Sequence, residues 1–268
     1  MEIHPTAEIA ATAKIGKATA KIGKDVKIGA YAVIEDHVEI GDNCLIDSHA
    51  FIRSYVKMGS NNVVHPYAVI GDLPQDITFD INLETYTVIG NDNVFRESCT
   101  IHRATREGES TRIGSNCYFM TCIHIGHDCV IGNGCILASY TGLGGFVEVD
   151  DKVNFGAGAR VHQFVRIGSL AMLAGGILIR KDVLPFSLLA GTPVRHYRLN
   201  LIGLRREGIK GERLKPISKA FLSLRKSRDL AALELPQTPE INYLQKWISA
   251  PSKRGIYKFA SDKKKEEE

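Results

Sequence analysis

The large aliphatic side chains of this chain return every sixth residue, and few folds can follow such a rhythm. Ile3, Ile9 and Ile15 open the series, and after one extra residue it runs through Ile22, Ile28, Ile34, Ile40, Ile46, Ile52, Met58, Val64 and Ile70. It resumes at Ile89, Phe95 and Ile101, and again from Ile113 to Ile179. A helix would show a spacing near 3.6 and a half-buried strand a spacing of 2. A period of six requires a short strand and a corner repeating as one unit, so the chain is a solenoid.

The other positions fit the same unit. A glycine often follows the large residue, as at Gly16, Gly23, Gly29, Gly41, Gly132 and Gly156, where it is expected to permit a tight corner. Four residues after the large one stands a small or β-branched residue, such as Ala32, Val38, Ala50 or Val153. Cys44, Cys117, Cys129 and Cys135 occupy this inward place, so core packing is their expected role. None forms a C-x-x-C pair, and no disulfide is expected.

Two segments break the rhythm. Asp72 to Thr87 is expected to loop out, and Arg103 to Arg112 (RATREGESTR) lacks the aliphatic residue at Glu107. Loops on a rigid scaffold are natural places for binding residues. The repeat ends near Pro185. Beyond it Leu214, Ile217, Phe221 and Leu224 are spaced for one helix face, and Thr238–Pro239 reads as an N-cap with proline at the first helical position. Ile241, Leu244 and Trp247–Ile248 give that second helix its apolar face. The chain thus divides into a solenoid over residues 1–190 and a small α-helical domain over 191–268, whose DKKKEEE end is too charged to fold.

Charge follows this division. From Asn200 onward there are sixteen Lys and Arg against nine Asp and Glu, about +7, while the rest is about −3. A basic end suits an acidic partner. Aromatic residues are only 7% of the chain and no nucleic-acid motif is present, so nucleic acid is not expected. No apolar run approaches the roughly 20 residues of a membrane span, and Met1 to Pro5 does not open a signal peptide. A cytoplasmic protein is expected.

The chemistry must come from polar outliers, because a solenoid can be a passive spacer. His102, His124, His127 and His162 lie in or beside turns of successive coils, and a solenoid stacks such positions into one stripe. Histidine is the usual general base near neutral pH. Acyl transfer from a thioester to a hydroxyl needs such a base and a donor for the developing oxyanion. The glycine-rich turn Gly142–Gly145 (GLGG), one coil after His127, offers backbone N–H groups for the second task. There is no G-x-S-x-G elbow and the cysteines are expected to point inward, so direct attack by the acceptor hydroxyl is the simpler route.

The segment IHIGHDCVIGNGCILA from Ile123, with TIHRAT upstream and VHQF downstream, resembles the UDP-N-acetylglucosamine acyltransferases of lipid A synthesis. PQD at Pro74–Asp76, RESCTIHRAT from Arg96, GTP at Gly191–Pro193 and NLIGLRR from Asn200 carry the resemblance across nearly the whole chain. It implies a mainly β fold, a triangular left-handed parallel β-helix of hexapeptide repeats with three repeats per coil, followed by a small α-helical C-terminal domain. The twenty-seven large positions then imply about nine coils, spaced about 4.8 Å apart. The left hand comes from the family alone, since the general crossover rule favours the right.

The resemblance also implies roles. His127 would be the general base on the glucosamine 3-hydroxyl, with Asp128 beside it, and the Gly145 N–H would face the oxyanion. Gln75, Asp76 and His124 would touch sugar or acyl chain; His162, Gln163, Asn200 and Arg206 would hold the nucleotide; Gly175 stands where the family limits acyl length. The implied donor is a 3-hydroxyacyl chain on the phosphopantetheine of acyl carrier protein, with no further cofactor and no metal. The implied assembly is a homotrimer with sites between subunits. Three positions depart from the family: Phe146 for a frequent histidine, Thr78 for a frequent lysine, and Glu207 for the second of two basic residues. Some relatives acylate the 3-amino analogue of the sugar nucleotide, and a pocket lacking these cations suits an amine. A γ-type carbonic anhydrase and a non-catalytic solenoid remain as other classes for the same fold.

Overall fold

The computed structural model describes residues 1–226 and 235–260; the charged 262–268 tail lies outside them. Twenty-seven short strands, from Glu2–Ile3 to Leu178–Ile179, are dealt in rotation onto three parallel sheets. Each pairs with the strand three further on, so Lys21–Ile22 lies beside Glu39–Ile40. Three strands make one coil, and nine coils result. Val183, bridged to Ile167, and the strand Ser187–Ala190 begin a tenth.

Most strands are two residues long, which leaves one side chain outside and one inside. In Lys27–Ile28 the lysine is exposed and the isoleucine buried. The period of six therefore marks the inward residue of every strand, and from Ile22 to Ile179 each of these is buried in one continuous core. Burial of such a side chain stabilises by roughly 1.5–3 kcal/mol. Ile3, Ile9 and Ile15 are only partly buried, because no coil lies beneath the first. Phe95 and Phe119 stack at 4.9 Å inside the prism.

The glycines serve a different purpose from the one expected. Among those that follow a large residue, Gly16, Gly23, Gly29, Gly41, Gly132 and Gly156 all have ordinary φ. What they allow is close approach: a Cβ on Gly132 would lie 2.8 Å from the Asp151 nitrogen of the next coil. The left-handed residue of the corner comes two positions later and is usually not glycine, as at Asp25, Asn43 and Asn61. At Asn43 and Asn61 its N–H donates to a carbonyl of the preceding coil, that of Lys24 and of Asp42, both at 2.8 Å, and at Asp25 to the Thr6 hydroxyl at 3.0 Å. These bonds recur in coil after coil and offset the strain of that conformation.

Five cysteines are buried, and the thiols of Cys117, Cys129 and Cys135 each donate to a carbonyl of the next coil at 3.2 Å. Burial pushes the Cys129 thiol up to about 12. Cys122 is the exception to the inward expectation: it is exposed, because it sits at a left-handed corner with φ 58°.

Both interruptions leave from one edge. The excursion between strands Val69–Asp72 and Tyr86–Ile89, and that between Thr100–His102 and Ser110–Ile113, each replace the corner joining the third sheet to the first, in successive coils. The second is shorter than the polar stretch suggests, because Ser110–Arg112 already pair in the sheet.

After the coils, Ser187–Ala190 turns back antiparallel onto Arg195–Leu199. Among the described residues three α-helices follow: α1 (Leu201–Arg206), α2 (Leu214–Lys226) and α3 (Pro239–Ser249). Thr238 caps α3, its hydroxyl accepting from Ile241 N at 3.3 Å. Ile217, Phe221, Leu224, Ile241, Leu244 and Trp247 close over Leu170, Leu184 and Phe186 of the solenoid end. The polar contacts add direction. Tyr243 accepts from Ser169 N at 2.8 Å and donates to Asp150, while Arg166 bonds Asp182 at 2.9 Å under the Trp247 ring. The helix α1 carries no apolar period long enough to be read from sequence.

Candidate active site

The strand His124–Ile125 points Ile125 into the core and His124 outward. The corner Gly126–His127–Asp128 follows, and Asp128 takes its left-handed place with φ 59°. This geometry turns the Asp128 carboxylate back to its neighbour, so that His127 Nδ1 lies 2.7 Å from Oδ2. A carboxylate only accepts, so Nδ1 carries the proton and Nε2 of the neutral ring is left as an acceptor.

The next coil is in register, Ile125 beside Leu143, and it sets Gly145 against the imidazole. A Cβ on Gly145 would lie 2.4 Å from Cε1 and 2.6 Å from Nε2 of His127. Any side chain there would push the His127 ring out of this place. Among the described residues no group accepts from the Gly145 N–H. The His127 ring and Gly145 thus border the same space.

That space is a cleft of about 340 Å³ lined by Gln75, His102, His124, His127, Gly145, His162 and Gln163 among others. Gln75 arrives on the first excursion. Asp76, next to it, is held by the Thr78 N–H at 2.9 Å and hydroxyl at 2.8 Å, which lower its pKa. His124 Nδ1 meets the Thr100 hydroxyl at 3.0 Å. Burial, with His102 and His127 nearby, pushes His124 down to about 4. Burial likewise lowers His102, against its bond to the Leu73 carbonyl. His102 and His124 are therefore neutral imidazoles at pH 7. For Asp128, burial acts upward, but the bonds from His127 and Thr105 outweigh it and the carboxyl stays below its ordinary range.

Eight of the residues singled out from sequence gather at this corner: Gln75, Asp76, His124, His127, Asp128, Gly145, His162 and Gln163. Three do not. Gly175 packs against Ala157 at the corner after the second sheet. Asn200 is buried as the cap of α1, accepting from Gly203 N at 3.1 Å and donating to the Leu170 carbonyl at 2.9 Å. Arg206 ends the same helix, which docks at the corner after the first sheet.

The three departures have plain contacts. Phe146 stands edge-on to His127 at 5.3 Å and stacks on Phe164 at 5.0 Å, with Arg106 5.7 Å from its ring. Thr78 clamps Asp76, and Glu207 forms an ion pair with Lys152. Thr105, Thr111 and Arg103 were not visible as site residues from sequence. Arg103 is buried, its guanidinium 5.2 Å from the Tyr55 ring and 5.6 Å from that of Phe79 on the first excursion. Such contacts join distant coils and leave no local signal.

Comparison with known proteins agrees along the whole chain. Residues 182–257 match the family model "Udp N-acetylglucosamine O-acyltransferase; Domain 2", and residues 19–54 and 110–145 match the bacterial transferase hexapeptide model. An acyl-[acyl-carrier-protein]–UDP-N-acetylglucosamine O-acyltransferase of Thermodesulfovibrio yellowstonii is 39% identical over 95% of this chain and 98% of its own. That of Syntrophobacter fumaroxidans is 38% identical over 96% and 99%. Among solved structures, LpxA of Bacteroides fragilis, a UDP-N-acetylglucosamine acyltransferase, superposes with a TM-score of 0.83 at 35% identity, covering 96% of this chain and all of that one. The enzyme of that name from Campylobacter jejuni gives 0.83 and 35%, with 97% and 100% covered.

Proposed function

Because this chain belongs to the acyl-[acyl-carrier-protein]–UDP-N-acetylglucosamine O-acyltransferase family, we propose that it transfers a 3-hydroxyacyl chain from acyl carrier protein to the 3-hydroxyl of UDP-N-acetylglucosamine, an early step of lipid A biosynthesis. Membership sets aside the γ-type carbonic anhydrase and the passive solenoid. The observation that carries the mechanism is the pairing of His127 Nε2 with Gly145. Nδ1 is committed to Asp128, and Nε2 lies beside Gly145, which lines the same cleft and whose N–H has no partner among the described residues.

Nε2 takes the proton of the sugar 3-hydroxyl as its oxygen attacks the thioester carbonyl. Asp128 steadies the imidazolium that forms. The carbonyl oxygen gathers negative charge and is met by the Gly145 N–H. Collapse forms the ester, breaks the carbon–sulfur bond and returns the proton from Nε2 to the departing thiolate. No protein nucleophile and no bound cofactor enter this scheme; the phosphopantetheine thiol arrives on the carrier protein. Gln75, Asp76 and His124 would orient sugar and acyl chain, and His162 with Gln163 the nucleotide.

Gly175, Asn200 and Arg206 lie on other edges of the prism than His127. Their distance from the cleft supports a homotrimer in which these edges serve neighbouring subunits. The Asn200 side chain already caps α1, so its contribution there would be to place Arg206. Among the described residues no helix is long and apolar enough to cross a membrane.

One observation favours a second acceptor. Phe146 puts an aromatic edge beside His127 where the family often has a histidine, and Thr78 replaces a lysine. With fewer cations nearby, the 3-amino analogue of the sugar nucleotide would be accommodated, giving an amide. Side-by-side turnover of the two sugar nucleotides, read by product mass, tests this: preference for the 3-hydroxy sugar supports ester formation, and preference for the amine replaces it.

A further inference from the structure

The interruption at residues 103–112 has both ends on Asp128. The Thr105 N–H lies 3.2 Å from each carboxylate oxygen, and the Thr105 hydroxyl donates to Oδ2 at 2.7 Å. Thr111, at the far end, accepts from the Asp128 N–H with its hydroxyl at 2.8 Å. In the next two coils the corresponding corner N–H groups, those of Phe146 and Phe164, donate to backbone carbonyls of His127 and Gly145 instead. At Asp128 alone among these three corners, a side chain, that of Thr111 in the strand that follows the excursion, replaces the regular backbone contact.

From this convergence we propose that Thr105 is a positioning residue for the reaction: it fixes the Asp128 carboxylate so that Oδ2 meets His127 Nδ1 and holds the imidazole toward Gly145. The inference rests on the reading of His127 as general base. Oδ2 receives three donors, the His127 ring, the Thr105 hydroxyl and the Thr105 N–H. A carboxylate gripped in this way cannot rotate without breaking at least two of them. Arg106, the next residue on the interruption, lies over the Phe146 ring that flanks His127 and ties the same segment to the cleft wall. The other ionisable groups that face the pair are Asp76, His102 and His124, and none of them touches Thr105.

The test uses full-length Thr105→Val and Thr105→Ser, His127→Ala, and the Thr105→Val/His127→Ala double variant. Each is assayed with UDP-N-acetylglucosamine and a 3-hydroxyacyl carrier protein, with thermal melting as the check on folding. Thr105→Val is expected to lower kcat about tenfold, since loss of orientation is felt in the chemical step, with both KM values close to wild type. Thr105→Ser restores the rate. In the His127→Ala background Thr105→Val has no further effect, because a residue that acts through the imidazole has nothing left to act on. If the valine variant melts early, Thr105→Ala gives the same reading. A rise in KM at wild-type kcat, or an equal loss in the His127→Ala background, would overturn the positioning role. Wild-type kcat in Thr105→Val beside an impaired His127→Ala would overturn it while leaving the general base standing. A fully active His127→Ala would overturn both.

Discussion

His127 Nδ1 lies 2.7 Å from Oδ2 of the residue that follows it, Asp128. Consecutive side chains rarely face each other on a strand, where they alternate across the sheet. They do here because Asp128 occupies the left-handed corner position that the fold supplies once in each repeat. Asp128→Asn would keep the shape but present an amide to Nδ1, which allows the wrong tautomer. A fall in kcat of about a hundredfold or more is expected, at unchanged melting temperature. Steady-state kinetics beside a melting curve check this.

Gly145→Ala would place a methyl within 2.4–3.0 Å of three atoms of the His127 ring. The ring must swing away, and a displacement of about 1 Å costs on the order of a hundredfold in rate. The prediction is lost turnover with the fold retained, because the ring borders an open cleft.

Gly132→Ala tests the scaffold. Its Cβ would meet the Asp151 backbone nitrogen at 2.8 Å, so two coils must part. Overpacking of this kind costs roughly 1–3 kcal/mol. Gly134, two residues on, already has φ 65° and only the flexible Lys152 side chain nearby. Its alanine variant carries only the cost of a left-handed non-glycine residue, about 1 kcal/mol. Denaturation midpoints of the two variants should rank in that order.

His196 gives a pH prediction. It is fully buried, with Nε2 accepting from Leu184 N at 3.0 Å and Nδ1 facing the Tyr257 carbonyl at 3.1 Å. Burial pushes its pKa down to about 3, against about 6.5 in an unfolded chain. The unfolded state binds the proton first as pH falls. Stability is therefore fully present above about pH 6.5 and declines toward pH 3, by about 3 kcal/mol between pH 7 and 4. Urea midpoints measured across this range should fall more steeply for wild type than for His196→Phe.

Much of the fold was legible because the coil repeats. Each inward aliphatic residue from Ile22 to Ile179 stands where the period puts it, and α2 and α3 follow their apolar faces. The histidine stripe was legible for the same reason, since His124, His127 and His162 fall at equivalent or adjacent places in stacked coils. The glycines were misread: the sequence shows where they recur, but only the stacked coils show that Gly132 yields to a neighbour's backbone rather than to a turn. Thr105 and Arg103 were invisible because their partners, Asp128 and Phe79, are brought to them by excursions from the repeat, and no period governs those. The capping of α1 by the Asn200 side chain was likewise not legible, because so short a helix carries no apolar period.

The most direct test of the whole account is a mass-detected assay of wild type and His127→Ala with UDP-N-acetylglucosamine and 3-hydroxyacyl carrier proteins from C10 to C16. Acylated sugar nucleotide is expected from wild type, with a loss of about a hundredfold or more in the variant. Product formed equally by both would contradict it, because His127 would then not be the base.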